Sequence, residues 1–209
     1  AYPEIHYLLV KAYFYQKNDS GMGEQFAIAE SLKSDAKWNE EINTVKKGVW
    51  SQIFNQGAKA FNEKNYDTAL VKFESCNIID RTNYRGFLYL GLSHTMKKEF
   101  DPAIAALKTG LKLSPDNPEI MKGYGDVLLY AGNEKEALEE YNKVLEKDPK
   151  NLEVLINIVA IYSTAKDYDQ ALDYSKKLIE VDPTFKDGHF NMGTIYLLKI
   201  DKITTAFDS

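Results

Sequence analysis

Three histidines, one cysteine and a glycine-rich tetrapeptide are the residues of this chain best suited to an active site, and their surroundings argue against each. His6, His94 and His189 lie far apart, and no two have the helical spacing that lets imidazoles share one metal. Cys76 falls on an apolar stripe with Ala69, Leu70, Phe73 and Ile79, whereas a nucleophilic thiol needs an exposed, electropositive setting. Gly123-Tyr124-Gly125-Asp126 resembles a phosphate loop in isolation, but it sits inside a helical periodicity and not between a strand and a helix. No G-x-S-x-G elbow and no paired carboxylates stand out from a solvated helix face. The run from Glu134 to Glu146 sets Glu and Lys three or four apart, the pattern of an exposed helix. No catalytic, cofactor-binding or metal-binding residue is expected, and the chain is read as not an enzyme.

Composition narrows the partners. Of the 209 residues 44% are hydrophobic and 27% charged, too apolar for disorder. The net charge of −5 is spread evenly: residues 1–49 hold seven acids and six bases, residues 50–209 hold 24 and 20. Basic residues are not interleaved with aromatics on one side, so no nucleic acid is expected. A single cysteine excludes an internal disulfide. No window approaches 18 apolar residues, and the start lacks the pattern of a signal peptide; no direct membrane insertion is expected. A soluble, cytoplasmic protein is favoured, with a periplasmic or membrane-tethered one if a segment precedes Ala1.

The elements that must position any site recur with a period of 34 residues. Gly91 and Gly125, then Ala103, Ala137 and Ala171, then Pro115, Pro149 and Pro183 fall on the same marks, and such a period signals units that bury their apolar faces only against neighbours. The chain opens with an amphipathic helix from Pro3 to about Lys17, placing Ile5, Leu8, Leu9, Ala12 and Tyr15 inward. A loop over residues 18–24 and a helix from about Glu24 to Ser34 follow, with Phe26, Ile28, Ala29 and Leu32 inward. Residues 36–61 read as one long helix, with Gly48 as the place for a break or kink. Beyond the turn at 62–65, helices alternate with short turns. Asp101 and Pro102 are read as N-cap and first helical residue, as are Asn117 and Pro118, and Asn133 with Glu136 as a capping box. Residues 1–35 are thus read as a divergent N-terminal helical hairpin, with a degenerate repeat as the alternative. Residues 36–209 form an array with units at about 50–83, 84–117, 118–151 and 152–185 and a partial one at 186–209.

On these residues, from 50 to about 206, the chain resembles the tetratricopeptide repeat family. Gly57, Gly91, Gly125 and Gly193 stand where the two helices of a unit cross, as do Ala69, Ala103, Ala137 and Ala171, and a larger side chain there would push the helices apart. Val159 and Ser175 depart from the pattern without breaking the frame. The resemblance implies an all-α fold, a right-handed superhelical α-solenoid of stacked antiparallel hairpins, with no cofactor. It implies a groove for a protein or peptide partner with an apolar or amphipathic segment, lined by Phe54, Ala58, Arg85, Leu88, Leu92, Lys122, Asp126, Ile156, Asn157 and Phe190. Lys122 and Asn157 fit two marks of the carboxylate-binding members of the family, but Asp126 would repel a ligand carboxylate, so that kind of tail clamp is not expected. The other expectations are homo-oligomers through the partial fifth unit, around Phe190, Ile195 and Leu198, and an adaptor role within a larger protein.

Overall fold

The computed structural model describes residues 3–16, 18–32 and 36–207. Among these residues every regular element is an α-helix. In chain order they are α1 (Pro3–Tyr15), α2 (Asp19–Ser31), α3 (Ala36–Asn62), α4 (Tyr66–Ile79), α5 (Tyr84–Met96), α6 (Phe100–Leu113), α7 (Pro118–Tyr130), α8 (Glu134–Lys147), α9 (Leu152–Thr164), α10 (Tyr168–Val181) and α11 (Lys186–Phe207). No described helix is long and apolar enough to cross a membrane. The chain forms two compact units, Ala1–Gly123 and Tyr124–Ser209. In the first, α1 packs on α2, α3 on α4 and α5 on α6; in the second, α9 packs on α10 and α10 on α11. From α3 onward the helices alternate between a first and a second member of each hairpin, here called A and B.

The hairpins close by matching a missing side chain to a large one. A Cβ added to Gly57 would lie 2.8 Å from the Phe73 ring, one on Gly91 2.6 Å from Leu107, and one on Gly125 2.6 Å from the Tyr141 ring. Phe73, Leu107 and Tyr141 are all fully buried. In the fourth hairpin the sizes are exchanged: Val159 holds the place of the glycine and Ser175 that of the large residue, and both are buried.

One turn device recurs with the same period. Lys64, Lys98, Gly132 and Lys166 have φ of 60°, 62°, 82° and 58°, and they follow α3, α5, α7 and α9 at intervals of 34 residues. That left-handed conformation crowds Cβ against the next carbonyl, so it suits glycine best and β-branched residues least. The next mark of the series is Ile200. There the helix does not turn: α11 runs for 22 residues where α5, α7 and α9 stop after 13.

Helix starts follow local polar chemistry. The side chains of Asn65, Asn83, Asn117, Asn151 and Asp167 accept hydrogen bonds from the backbone N–H of Thr68, Arg85, Glu119, Val154 and Gln170. Two expected starts differ. Glu99, not Asp101, precedes α6, and it makes no side-chain cap because its carboxylate is drawn to His94 at 2.7 Å and Lys97 at 3.2 Å. Asn133 holds the N-cap place of α8 without a side-chain bond, so the capping box with Glu136 is not formed.

The N-terminal region corrects the sequence reading more. Residues 19–24 are helical, not a loop: α2 begins at Asp19, capped by the Asn18 side chain on Gly21 N–H at 2.9 Å. Its glycines serve close packing. A Cβ on Gly21 would lie 2.9 Å from the Tyr13 ring, and one on Gly23 2.5 Å from the backbone oxygen of Ile78. On α1 the stripe that meets α2 runs through His6, Val10 and Tyr13, with His6 Nδ1 2.8 Å from Gln25 Oε1, while Ile5 and Leu8 are exposed. Lys17 and Ser34, the expected ends of these two helices, lie outside the described residues. The long helix is continuous through Gly48, and it shares a core with the N-terminal hairpin: Val10, Met22 and Phe26 meet Ile42, Trp50, Ile53, Cys76 and Ile79. At the edge of that core Lys46 pairs with Glu30 at 2.7 Å and Asp80 at 3.4 Å. Burial raises the Asp80 carboxyl, but hydrogen bonds from Thr82 and the Lys46 charge outweigh it and hold the group below its usual range.

Two glycines should respond oppositely to alanine. Gly48 has nothing within 4 Å of a Cβ, so Gly48→Ala should stabilise by roughly 1 kcal/mol through helix propensity. At Gly125 the Tyr141 ring is buried and its hydroxyl is held, so Gly125→Ala should destabilise by roughly 1–3 kcal/mol. Urea denaturation of both variants measures the pair.

Candidate functional site

In the first unit residues of α3, α4, α5 and the start of α7 build an aromatic cluster with charged edges, in which Trp50 and Phe73 are buried and Phe54 and Tyr89 half-buried. Phe54 stacks on Trp50 at 4.8 Å between centroids and meets Tyr89 edge-on at 5.0 Å and Phe73 at 5.5 Å. The Arg85 guanidinium lies 5.7 Å from the Phe54 centroid, within reach of a cation–π attraction. Its Nη2 approaches Glu119 Oε1 at 3.9 Å, and Tyr84 donates its hydroxyl to the same carboxylate at 2.8 Å. Burial, and then that carboxylate, push the Tyr84 hydroxyl up. Ala58, Leu92 and Lys122 are half-buried and Arg85 is exposed.

Leu88 does not belong to it. The groove reading placed Leu88 facing a ligand, but the side chain is 1% exposed. The sequence signal that was overlooked is Gly123: without a side chain there, the Leu88 methyl sits 2.7 Å from where a Cβ would be, and Leu88 fills the space between α5 and α7.

In the second unit Asp126 and Asn157, read from sequence as separate groove residues, are brought together by Tyr141. Asp126 Oδ1 accepts from the Tyr141 hydroxyl at 2.8 Å and from Asn157 Nδ2 at 3.2 Å, and Asn157 also donates to the tyrosine oxygen at 3.1 Å. Burial raises the Tyr141 hydroxyl and the adjacent Asp126 charge raises it further, so the ring donates its proton to the carboxylate and does not lose it. The tyrosine could have been singled out in the sequence, since Phe73 and Leu107 hold the equivalent place without a hydroxyl. Ile156, next to Asn157, is 37% exposed, and Phe190 on α11 is 74% exposed.

The reactive residue types are scattered. Cys76 is fully buried, and burial first, then Asp19, push its thiol up to about 12. His94 is engaged by Glu99 at 2.7 Å and His189 Nε2 lies 3.0 Å from the Pro183 carbonyl. Among the described residues no three His, Cys, Asp or Glu side chains are grouped to hold a metal. A cleft of about 650 Å³ between the α9–α10 turn and α11 holds Lys166, Asp167, Lys199 and Lys202. Its charges are used locally: Lys199 pairs with Asp169, and Lys202 lies 5.6 Å from the Tyr168 centroid.

Hairpins closed on a 34-residue beat, with outward faces that differ from unit to unit, define a helical-repeat protein. The tetratricopeptide repeat model matches residues 94–156 and 128–189, and over these residues the chain carries tetratricopeptide repeats. It is 26% identical over 165 residues to the small glutamine-rich tetratricopeptide repeat-containing protein 2 of Saccharomyces cerevisiae, covering 75% of this chain and 44% of that protein. The chain spans less than half the length of the curated relatives it matches. Among solved structures, MamA from Desulfovibrio magneticus RS-1 superposes with a TM-score of 0.65 at 18% identity, over 75% of this chain and 89% of that one. The first repeat domain of Spaghetti (RPAP3), solved with the HSP90 peptide SRMEEVD, superposes with a TM-score of 0.53 at 20% identity, over 56% of this chain and 92% of that one. At these identities the superpositions establish the fold.

Two measurements check this description. Tyr141→Phe leaves Asp126 and Asn157 without their shared hydroxyl and should cost roughly 1–2 kcal/mol in urea denaturation. The Cys76 thiol should resist a disulfide reagent at pH 8 until denaturant is added. An unfolded thiol ionises near 9.0 and the native one near 12, so the native state holds the extra proton between those values. The contribution of this group to stability is therefore complete below about pH 9 and lost as pH rises toward 12.

Proposed function

We propose that the chain is a non-enzymatic scaffold for protein–protein interaction that holds an apolar or amphipathic segment of a partner, peptide or helix, against the outward faces of its A helices. The observation that carries this is the exposure of Ile156, Phe190 and Leu197 at 37%, 74% and 69%. Ile156 and Phe190 take the same place in consecutive repeats, and Leu197 follows Phe190 by two helical turns, so α9 and α11 present apolar groups on the A-helix face of the second unit. Large exposed apolar groups at repeated marks are the usual sign of a binding surface. The patch of Phe54, Arg85, Leu92 and Lys122 in the first unit offers aromatic area with positive charge at its rim, a fit for an apolar residue flanked by acids.

The RPAP3 domain, solved with an HSP90 peptide, supports the reading that such a fold holds an extended segment. Here Asp126 sits where that kind of ligand would bring its own carboxylate, and its charge is satisfied by Tyr141 and Asn157. The preferred segment is therefore apolar at its centre and does not depend on a free C-terminal carboxylate. A second reading, self-association through α11, is favoured by the exposure of Phe190, Leu197 and Leu198. Ile195 drops out of that surface because it is buried with Ala171 and Leu172.

Screening a display library of short linear peptides against the chain should enrich apolar-centred sequences. The double variant Ile156→Asp, Phe190→Asp should keep its helicity and melting temperature, since both side chains face water, and lose those peptides. Equal binding by the double variant sinks the placement, and light scattering that rises with concentration and is lost in Leu197→Asp would favour self-association instead.

A further inference from the structure

The group of Asp126, Tyr141 and Asn157 decides which end of one amide faces outward. Asn157 Nδ2 donates to Asp126 Oδ1 at 3.2 Å and to the Tyr141 oxygen at 3.1 Å, while the Tyr141 hydroxyl gives its own proton to Asp126 at 2.8 Å. Turning the amide over would set its oxygen against a carboxylate and against a phenol oxygen whose proton is already committed, so the chemistry allows one orientation. The Asn157 oxygen therefore points away from the group. Among the described residues no protein donor reaches it, and the buried side-chain atoms left without a partner belong to Trp50 and Asn77, so the Asn157 oxygen is open to solvent.

The polarity of this residue is set by what its amide has already given away. An asparagine that recognises a carboxylate must offer N–H, and the Asn157 N–H group is turned inward to two acceptors. What it shows outward is a carbonyl oxygen held in place, which only a donor can answer. The Asp126 charge, one hydrogen bond behind it, makes a cationic donor better than a neutral one. The same face repeats this preference: Glu153 and Ile156 of α9, three residues apart, return 34 places on as Asp187 and Phe190 of α11, and all four are exposed. Each helix thus sets an acid one turn before an apolar group, and α9 holds no lysine or arginine. First-turn acids are favoured by the helix dipole whatever they face, so they alone would decide nothing; the amide orientation does.

We propose that the A-helix face of the second unit binds a cationic amphipathic segment of a partner protein, in which a lysine or arginine donates from its charged nitrogen to Asn157 Oδ1 and stands beside an apolar residue that covers Ile156. This rests on the groove reading above and adds the charge of the occupant. Charge complementarity selects it: acids and an outward acceptor on the protein call for donors and positive charge on the ligand. The two units then differ in taste. Arg85 and Lys122 suit the first to acids, and Asn157, Glu153 and Asp187 suit the second to bases.

The test uses the whole chain and two fluorescent peptides, acetylated and amidated, that share the centre Ile-Leu-Phe and differ only in flanks of lysine or of glutamine. By anisotropy the lysine peptide should bind roughly tenfold more tightly, a margin that shrinks at high salt. Asn157→Ala should remove most of the margin. Since that change also touches the Tyr141 group, a second variant avoids it: Glu153→Lys with Asp187→Lys, both at exposed places, should keep the melting temperature and abolish the margin. The same reversal at Glu139 and Glu146, exposed on α8, should leave it intact, which separates this face from the general attraction of an acidic protein. Equal binding of the two peptides overturns the proposal and leaves the groove reading standing. A margin that survives both Asn157→Ala and the Glu153, Asp187 reversal also overturns it, and binding of neither peptide overturns both readings.

Discussion

Everything in this fold depends on how closely two helices can approach at one point. Removing a side chain at Gly57, Gly91 and Gly125 brings each A helix near enough to its B helix for a single large residue to fill the contact, and the close approach fixes the angle at which the pair can stack on the next. The fourth hairpin shows that the constraint is on total volume and not on glycine as such, since Val159 and Ser175 reach the same closure with the bulk moved to the other helix. Gly21 and Gly23 apply the same principle to the N-terminal hairpin, where α2 is drawn against Tyr13 and against the backbone of α4.

Much of this was legible because the features that set it are local or periodic. The positions of α4 to α10 follow from spacing and caps, and the continuity of α3 follows from the absence of proline. The misread stretch, residues 18–24, failed for an instructive reason: glycines that terminate helices in isolation are tolerated inside one when a neighbouring element needs their lack of bulk. Asp101 failed as a cap because α6 already begins at Phe100, and Glu99, which holds the cap place, turns its carboxylate to His94 and Lys97 instead of to the helix start.

The functional surface was legible only in outline. The repeat frame names the residues that lie on the outward face of an A helix, but it cannot say which of them a neighbour covers. Leu88 was assigned to the ligand side and lies in the core because Gly123 admits it. Asp126 and Asn157 were assigned as independent contacts and are tied to each other by Tyr141. In both cases the deciding residue is on another helix, 15 to 35 places away in sequence, and its effect on burial is invisible until the helices are stacked.

The hydrogen-bonded group of Asp126, Tyr141 and Asn157 draws on three helices, α7, α8 and α9, from two successive repeats. In a linear array, stability is a sum of each unit and its junctions, and unravelling from an end proceeds wherever a junction is weak. Peeling α9 away would strip a half-buried carboxylate and a buried phenol of a partner at once, so this junction resists the step. The second unit is thereby riveted at its start, and loss of α11 and then α10 should meet its largest barrier there.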